Sequence, residues 1–261
     1  MMPPNPLKKA LAEGRLIVGH MVMEFTVPNI AHILRPAQPD FVLFDLEHTG
    51  LSLQSLAPLL LSCRIAGIPP VVRVPGFSGH FISRCLDLGA LGIMMPNVRT
   101  PEEARALVAA AMYPPGGERG MGLGGAHTSY TDPSPNEYAA WATEQLVLIA
   151  QIESAEALGR LDDILSVPGI DVGWVGQNDL TLSMGIVGQY DAPSFVSARH
   201  QVAQACHRHG KGAGCQPPSP TEARTWFEAG YNVISLGTDL GLYQRALAQG
   251  LAQVRSLADG K

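Results

Sequence analysis

Short apolar runs alternate with longer amphipathic stretches along the whole chain of 261 residues. The short runs have the length and composition of strands, and they predict eight of them, at residues 16–23, 41–47, 70–74, 92–96, 146–152, 172–176, 212–215 and 232–237. The stretches between them predict helices at residues 53–66, 101–112, 155–165, 194–209 and 221–229, with flanking helices that start at Asn5 and span residues 239–257. This alternation indicates an α/β fold with a parallel sheet.

Eight such units fit a (β/α)8 TIM barrel, and a doubly wound open sheet is the alternative that the pattern leaves open. No linker-like stretch divides the chain, so residues 1–261 are expected to form one domain. One connection is unusual, because residues 113–136 are long and rich in Gly and Pro. Loops of this length in compact domains are often functional, and we expect this one to act as a lid.

Composition excludes several classes of function. Hydrophobic residues make up 46% of the chain and the formal net charge is -5, which argues against a nucleic-acid partner because that would need a basic face. No apolar stretch approaches the roughly 20 residues that span a bilayer, and no signal segment is evident, so we expect a cytoplasmic protein without a membrane partner. The four cysteines lack Cys-x-x-Cys spacing and are expected to be reduced thiols.

Polar side chains follow several of the predicted strands, where the carboxyl ends of barrel strands carry catalytic groups. They are Asp45, Glu47 and His48, then Arg73, Asn97, Gln151, Glu153 and Asp179. Paired carboxylates suit a hard divalent ion, an arginine can stabilise an oxyanion, and a histidine can move protons near neutral pH. Each acid alone is as readily explained by a helix cap or a surface ion pair, whereas their coincidence on four strands favours a shared site.

Two other patterns invite functional interpretations that the spacing does not support. The glycines of residues 116–125 lack Gly-x-Gly-x-x-Gly spacing, and no strand directly precedes them. The Cys and His residues of the segment 206–209 fall at a predicted helix end, where cations complement the dipole, so a zinc site is not favoured.

Six motifs in order along the chain carry a family resemblance. They are Phe-Val-Leu-Phe-Asp-Leu-Glu-His (41–48), Val-Val-Arg-Val-Pro (71–75), Leu-Asp-Leu-Gly-Ala (86–90), Tyr-Pro-Pro-Gly-Gly-Glu-Arg-Gly (113–120), Gln-Ile-Glu-Ser (151–154) and Gly-Gln-Asn-Asp-Leu (176–180). Together they resemble the metal-dependent class II pyruvate aldolases, which include 4-hydroxy-2-oxoheptanedioate aldolase and 2-dehydro-3-deoxyglucarate aldolase. The resemblance implies a TIM barrel of the phosphoenolpyruvate/pyruvate-domain type.

The resemblance also implies roles for individual residues. Glu153 and Asp179 match the metal ligands, and Gln151 and Arg73 match the residues that hold the pyruvyl oxygens. The backbone around Gly176, Asn178 and Asp179 would receive the pyruvate carboxylate. Further matches are His48 and Asp87, as a proton-transfer pair, and Asp45, near the hydroxyl derived from the aldehyde.

One position departs from the family pattern. The family commonly has Gly-Pro before the metal aspartate, and this chain has Gly176-Gln177. The amide of Gln177 adds a hydrogen-bond donor that proline lacks, and its side chain can enter the site. The departure concerns the substrate rather than the fold.

The expected function is therefore that of a divalent-metal-dependent aldolase that makes or cleaves 4-hydroxy-2-oxo acids from pyruvate and an aldehyde. Mg²⁺, Mn²⁺ and Co²⁺ are all candidates for the ion. None of the four lysines falls at a strand end, which argues against Schiff-base chemistry. Oxaloacetate decarboxylation or cleavage of a malyl- or citramalyl-type CoA ester is the alternative, and a catalytically silent binder is a third reading. The resemblance suggests a homo-oligomer, specifically a hexamer with an exchanged C-terminal helix.

Overall fold

The computed structural model describes residues 2–259 and forms a closed barrel of eight strands in chain order, each parallel to its neighbours. The strands are β1 (Ile17–Val22), β2 (Phe41–Asp45), β3 (Pro70–Arg73), β4 (Gly92–Met95), β5 (Val147–Ile152), β6 (Val172–Val175), β7 (Gly212–Cys215) and β8 (Val233–Thr238). The α/β fold expected from the alternating pattern is thus confirmed as a (β/α)8 barrel, and the open-sheet alternative is excluded.

Twelve α-helices accompany these strands in the described part of the chain. They are α1 (Pro6–Ala12), α2 (Ile30–Leu34), α3 (Leu53–Ala66), α4 (Gly79–Asp87), α5 (Pro101–Ala111), α6 (Pro135–Gln145), α7 (Ala155–Leu158), α8 (Leu161–Leu165), α9 (Gln177–Ser183), α10 (Pro193–Arg208), α11 (Pro220–Glu228) and α12 (Asp239–Asp259). The stretch 155–165, expected as one helix, is two short ones, because the chain leaves helical geometry at Arg160.

The barrel interior is filled by the alternate, inward-facing positions of the strands. Phe41 and Trp174 are the largest of these side chains, and they occupy space left by Gly19 and Gly214, where an added Cβ would collide with their rings. At the amino-terminal end of the strands, Leu7 of α1 packs into the same interior cluster and closes the barrel. The opposite end therefore remains as the accessible mouth.

A second and larger apolar layer lies between the strands and the surrounding helices. Outward strand residues such as Phe44 and Ile152 are fully buried there against helix residues such as Leu59 and Ala157. All four cysteines are buried and free, and burial raises the pKa of Cys63 and Cys85 to about 12. This apolar layer holds the strands in position, and the strands in turn position the polar residues at the mouth.

The long connection between residues 113 and 136 follows α5, whose last turn lies at the amino-terminal end of the barrel. It is anchored there by Arg64 Nη1, which donates to the carbonyl of His127 at 3.0 Å. Its final residues begin α6. The expectation that this segment acts as a lid stays a prediction.

The C-terminal helix α12 leaves the barrel after its first turn. Asp239 anchors its start by accepting hydrogen bonds from the amides of Met23, Glu24 and Phe25 at 2.7–3.0 Å. Beyond that turn its apolar side chains are exposed, with Val254 at 64% and Leu257 at 72%. Within residues 2–259, no helix has the length and apolar character to cross a membrane.

Candidate functional site

Part of the set of polar residues predicted from the strand ends meets in one cavity of about 310 Å³ at the mouth of the barrel. Six of the predicted residues line it: His48, Arg73, Gln151, Gly176, Asn178 and Asp179. They come from four strands and from the loops that follow them, which meet because the carboxyl ends of parallel barrel strands share one edge.

Asp45 and Arg73 form the central ion pair of the mouth. The β2–β3 register places Asp45 directly opposite Arg73, and both side chains take inward positions. Arg73 donates from Nε and Nη2 to the two carboxylate oxygens of Asp45, each at 2.8 Å. Burial acts to lower the pKa of Arg73, but the hydrogen bond and charge of Asp45, with Glu47, raise it overall, so the guanidinium stays protonated.

Asp45 is fully buried, and its oxygens also accept hydrogen bonds from the amides of Glu47 and His48 at 2.9 and 3.4 Å. The oxygens of Asp45 are thus engaged by protein groups, and Asp45 does not line the cavity. Its expected place near the hydroxyl derived from the aldehyde stays a prediction. Its observed part is to fix Arg73 and the loop that carries His48.

Glu47 and His48 form the rim next to Arg73. Glu47 Oε2 lies 3.1 Å from Arg73 Nη1 and 3.7 Å from His48 Nε2. The imidazole is 57% exposed, so it can reach a ligand in the cavity. Burial raises the pKa of Glu47, and the nearby charges of Asp45 and Asp179 act in the same direction, whereas Arg73 and His48 oppose it.

Glu153 is the buried acid of the site, at 5% exposure just beyond the end of β5. Its Oε1 accepts from the backbone amide of Asn97 at 2.7 Å, and its Oε2 accepts from Gln151 Nε2 at 2.6 Å. Burial, together with the charges of Glu47 and Asp179, raises the pKa of Glu153 to about 7. The charge of Arg73 offsets this rise only in part, and no cationic side chain among the described residues lies within ion-pair distance of Glu153.

Gly176 makes room for this acid. A Cβ at Gly176 would lie 2.7 Å from Gln151 Nε2 and 2.9 Å from Glu153 Cβ, so only glycine fits between β6 and the acid. The same residue is the N-cap of α9, and Asp179 stands in the first turn of that helix. The loop geometry thus brings Asp179 to the side of Glu153.

The carboxylate and amide oxygens near the mouth are suitable ligands for a divalent ion. Three carboxylates, Glu47, Glu153 and Asp179, influence one another electrostatically, and Gln151 Oε1 is a buried oxygen with no hydrogen-bond partner. Among residues 2–259, no group of three or more His, Cys, Asp or Glu side chains is assembled as a complete metal cage. An ion held by two carboxylates would complete its coordination with water and substrate, as Mg²⁺ commonly does.

Comparison with known proteins agrees with this geometry. Residues 22–246 match the family described as HpcH/HpaI aldolase/citrate lyase. The chain belongs to this family. It is 34% identical over 256 residues to the 2-keto-3-deoxy-L-rhamnonate aldolase of Escherichia coli (strain K12), covering 98% of this chain and 95% of the relative. It is 32% identical over 254 residues to the hydroxypyruvate/pyruvate aldolase of Roseovarius nubinhibens, covering 97% and 98%.

Solved structures give the same result. The HpcH/HpaI aldolase from Desulfitobacterium hafniense DCB-2 superimposes with a TM-score of 0.91 at 30% identity, covering 95% of this chain and 96% of that one. The aldolase and lyase class expected from the sequence is thereby confirmed, as are the family resemblance and the barrel.

One expected pair is not formed within this HpcH/HpaI family chain. Asp87 is the last residue of α4, which runs from the mouth to the start of β4, so it lies at the opposite end of the barrel from His48. There it binds Arg119, whose Nη2 lies 2.6 Å from Asp87 Oδ1. The side chain of Asp87 is 40% exposed. A pairing with His48 inside one chain is excluded by topology.

Other residues of the family chain line the cavity without having been singled out as site residues. They are Met21, Met23, Gln216, Pro218, Thr238 and Arg245, together with Trp174 and Gln177. Gln216 and Thr238 end or follow strands, so the strand-end rule that found Glu153 would have found them too. Arg245 carried no such signal, because it lies in the second turn of α12.

Proposed function

We propose that this protein is a divalent-metal-dependent aldolase that forms or cleaves 4-hydroxy-2-oxo acids through a pyruvate enolate and an aldehyde. The observation that carries the proposal is the meeting of Asp179, Arg73 and Gln151 in one cavity at the barrel mouth. Glu153 is buried beside them, where it accepts a hydrogen bond from Gln151 and feels the charge of Asp179. Mg²⁺, Mn²⁺ or Co²⁺ would suit a site of carboxylates and water.

Glu153 and Asp179 would hold the ion. A divalent ion there would act as a Lewis acid toward the ketone and carboxylate of pyruvate and so lower the cost of removing a methyl proton. Arg73, fixed by Asp45, is placed to stabilise negative charge that develops on the ketone oxygen. Gln151 Nε2 donates to Glu153 Oε2 and so fixes the orientation of that acid.

His48 is the group of the rim that can carry a proton between substrate and solvent, because it is exposed to the cavity and lies against Glu47. The first backbone amides of α9 have no carbonyl partners within the helix and would receive the substrate carboxylate. Gly176, Asn178 and Asp179 supply the backbone of that turn.

Exchange of the pyruvate methyl protons with deuterium tests this proposal without an aldehyde. Wild-type protein with Mn²⁺ should exchange them, and Glu153→Gln should lower the rate by at least about 100-fold, because the ion loses a charged ligand. Glu156→Gln is the matched control, since Glu156 is exposed beside Arg160 on α7. Equal exchange in Glu153→Gln and wild type would refute the assignment.

A second reaction at the same site is favoured by the family's own description, which includes citrate lyase. Oxaloacetate decarboxylation and cleavage of a malyl- or citramalyl-type CoA ester would pass through a comparable enolate. Measuring pyruvate or acyl product from hydroxy-oxo acids, oxaloacetate and CoA esters side by side separates these reactions from the aldol reaction.

We further propose that the protein is a homo-oligomer, with a hexamer as the expected state. The exposed apolar side chains of α12, including Leu247, Leu251 and Val254, support an interface between copies. In such an assembly, the exposed Asp87 of one copy is the group that would pair with His48 of another, since one chain keeps the two apart.

A further inference from the structure

We infer that Arg245 selects acceptor aldehydes that carry a carboxylate at the end remote from the reacting carbonyl. The inference rests on the proposed aldol function and names the substrate class of that cavity. It is drawn from the position of one guanidinium, the groups that hold it and the charge balance of the cavity wall.

Arg245 lies on α12, the helix that follows β8, and it lines the same cavity as Arg73 and Asp179. Its Nη2 donates to the carbonyl of Pro218 at 2.8 Å. The guanidinium also lies against two positions without side chains, since a Cβ on Gly241 would come 3.4 Å from Nη1 and a Cβ on Gly237 3.5 Å from Nη2. The backbone therefore directs this side chain to the mouth, although the residue is exposed.

The charge of Arg245 is not neutralised by a neighbouring acid. Within residues 2–259, no carboxylate lies within ion-pair distance of it, whereas Arg73 contacts both Asp45 and Glu47. Arg245 is thus the cationic side chain of the cavity that is available to an anionic ligand. Its planar fork suits a carboxylate in two-point contact.

The place of Arg245 in the ring of strands indicates which part of a ligand it meets. The proposed ion and pyruvate lie at β5 and β6, where Gln151, Glu153 and Asp179 stand. Strand β1, which carries Met21, lies directly across the closed barrel from β5, and β8 with the start of α12 lies next to β1. Since pyruvate at the ion occupies one side, the acceptor must extend toward the other.

That other side has the chemistry of a short carbon chain with a charged end. Met21, Met23 and Pro218 supply apolar surface there, and Gln216 is tethered by its Nε2, which donates to the carbonyl of Gly237 at 3.2 Å. Arg245 closes this wall. An aldehyde of two to four carbons with a terminal carboxylate would place its chain on the methionines and its charge on the guanidinium.

Acceptor pairs matched in length provide the kinetic test. Wild-type protein should use succinic semialdehyde with a higher kcat/KM than butyraldehyde. Arg245→Ala should lower kcat/KM for succinic semialdehyde about tenfold, as for the loss of a charge-assisted hydrogen bond at a partly exposed position, and should leave butyraldehyde within about twofold. Arg245→Lys should retain part of the preference. Arg255→Ala, a change of the same charge farther along α12, should alter neither acceptor.

A binding measurement separates failure of this inference from failure of the proposed function. With Mn²⁺ present, calorimetry should show that 2-oxoglutarate binds more tightly than 2-oxopentanoate, and that Arg245→Ala removes the difference. Equal affinities in wild type, or equal losses for charged and neutral ligands in Arg245→Ala, would overturn the role of Arg245. If neither oxo acid binds and no pyruvate proton exchange occurs, the proposed function itself fails and the inference fails with it.

Discussion

At the scale of single residues, the charged side chains of the site differ in whether a neighbouring side chain of opposite charge pairs with them. Arg73 is surrounded by acids and remains a cation, whereas Glu153 is buried among acids and its pKa rises to about 7. Position along the chain does not reveal this difference, because both residues stand at strand ends. The difference follows from the neighbours of each side chain. The β2–β3 register gives Arg73 an acid across the sheet, whereas Glu153 has the like charges of Glu47 and Asp179 beside it.

Replacing Asp45 with Asn should disturb both stability and activity. The change removes the charge that two Arg73 donors contact in a buried pair, and such losses cost about 3–5 kcal/mol. Urea unfolding should show a cost in that range, and pyruvate proton exchange should fall in the residual folded enzyme. Asp162→Asn is the control, since Asp162 pairs with Arg208 on the surface and should cost less than about 1 kcal/mol. Equal costs for the two variants would contradict the central role of the Asp45–Arg73 pair.

The raised pKa of Glu153 gives the metal-free protein a defined pH dependence. Between the ordinary value of 4.5 and about 7, the folded state holds a proton that the unfolded chain releases. Stability without metal should therefore fall as pH rises through this window, by on the order of 2 kcal/mol. Thermal unfolding in EDTA from pH 5 to pH 8 measures the loss, and Mn²⁺ should reverse it at pH 8. A Glu153→Gln protein should lack both effects; their persistence in that variant would show that another group is responsible.

At the scale of elements, the turn from β6 into α9 builds the metal side of the cavity. Gly176 caps the helix and leaves the space that the Gln151 amide and the Glu153 carboxylate occupy. Asn178 is fixed from outside, because the hydroxyl of Tyr190 donates to its Oδ1 at 2.6 Å. The turn therefore has a defined shape before any ligand arrives.

Gly176→Ala should weaken metal binding at least tenfold, since the added methyl group displaces Glu153 and Gln151. Titration of Mn²⁺ by calorimetry measures the change, and circular dichroism establishes that the barrel remains folded. Gly159→Ala is the matched control, because Gly159 has an ordinary φ of -71° and does not line the mouth cavity. Unchanged affinity in Gly176→Ala would mean that Glu153 does not hold the ion.

At the scale of the whole molecule, the barrel has two functional ends. The mouth carries the acids and Arg73, whereas the amino-terminal end carries Asp87, Arg119 and the segment that was expected to be a lid. Sequence motifs shared with a family cannot distinguish residues that meet within one chain from residues that meet between chains. Because α4 ends at the amino-terminal end of the barrel, the family motif around Asp87 lies at a surface that another copy can contact.

Mixing two inactive variants tests this arrangement. His48→Ala and Asp87→Ala, dissociated and reassembled together, should regain activity, because about a quarter of the sites in a random oligomer would contain both intact groups. His48→Ala mixed with Glu153→Gln should remain inactive, since both changes fall in the same site. Light scattering establishes whether the assembly is a hexamer. Absence of recovery in the first mixture would exclude pairing between copies.

The sequence by itself determined the barrel and most of its mouth. Alternating apolar runs place the strands within one or two residues of their observed bounds, because inward and outward positions must be apolar in a strand covered on both faces. The same strand-end rule brought Gln151, Glu153 and Asp179 together. The helical pattern missed four helices, α2, α4, α6 and α9, which are short or lack strong apolar periodicity.

Only the tertiary structure decided which polar side chains contact one another and which line the cavity. Register set Asp45 opposite Arg73, which engages both of its carboxylate oxygens, and the direction of α4 carried Asp87 to the far end of the barrel. The course of α12 brought Arg245 back over the mouth. The local apolar pattern indicates which residues face a core. The distances between residues far apart in the chain depend on how the sheet closes into a barrel, which the local pattern does not contain.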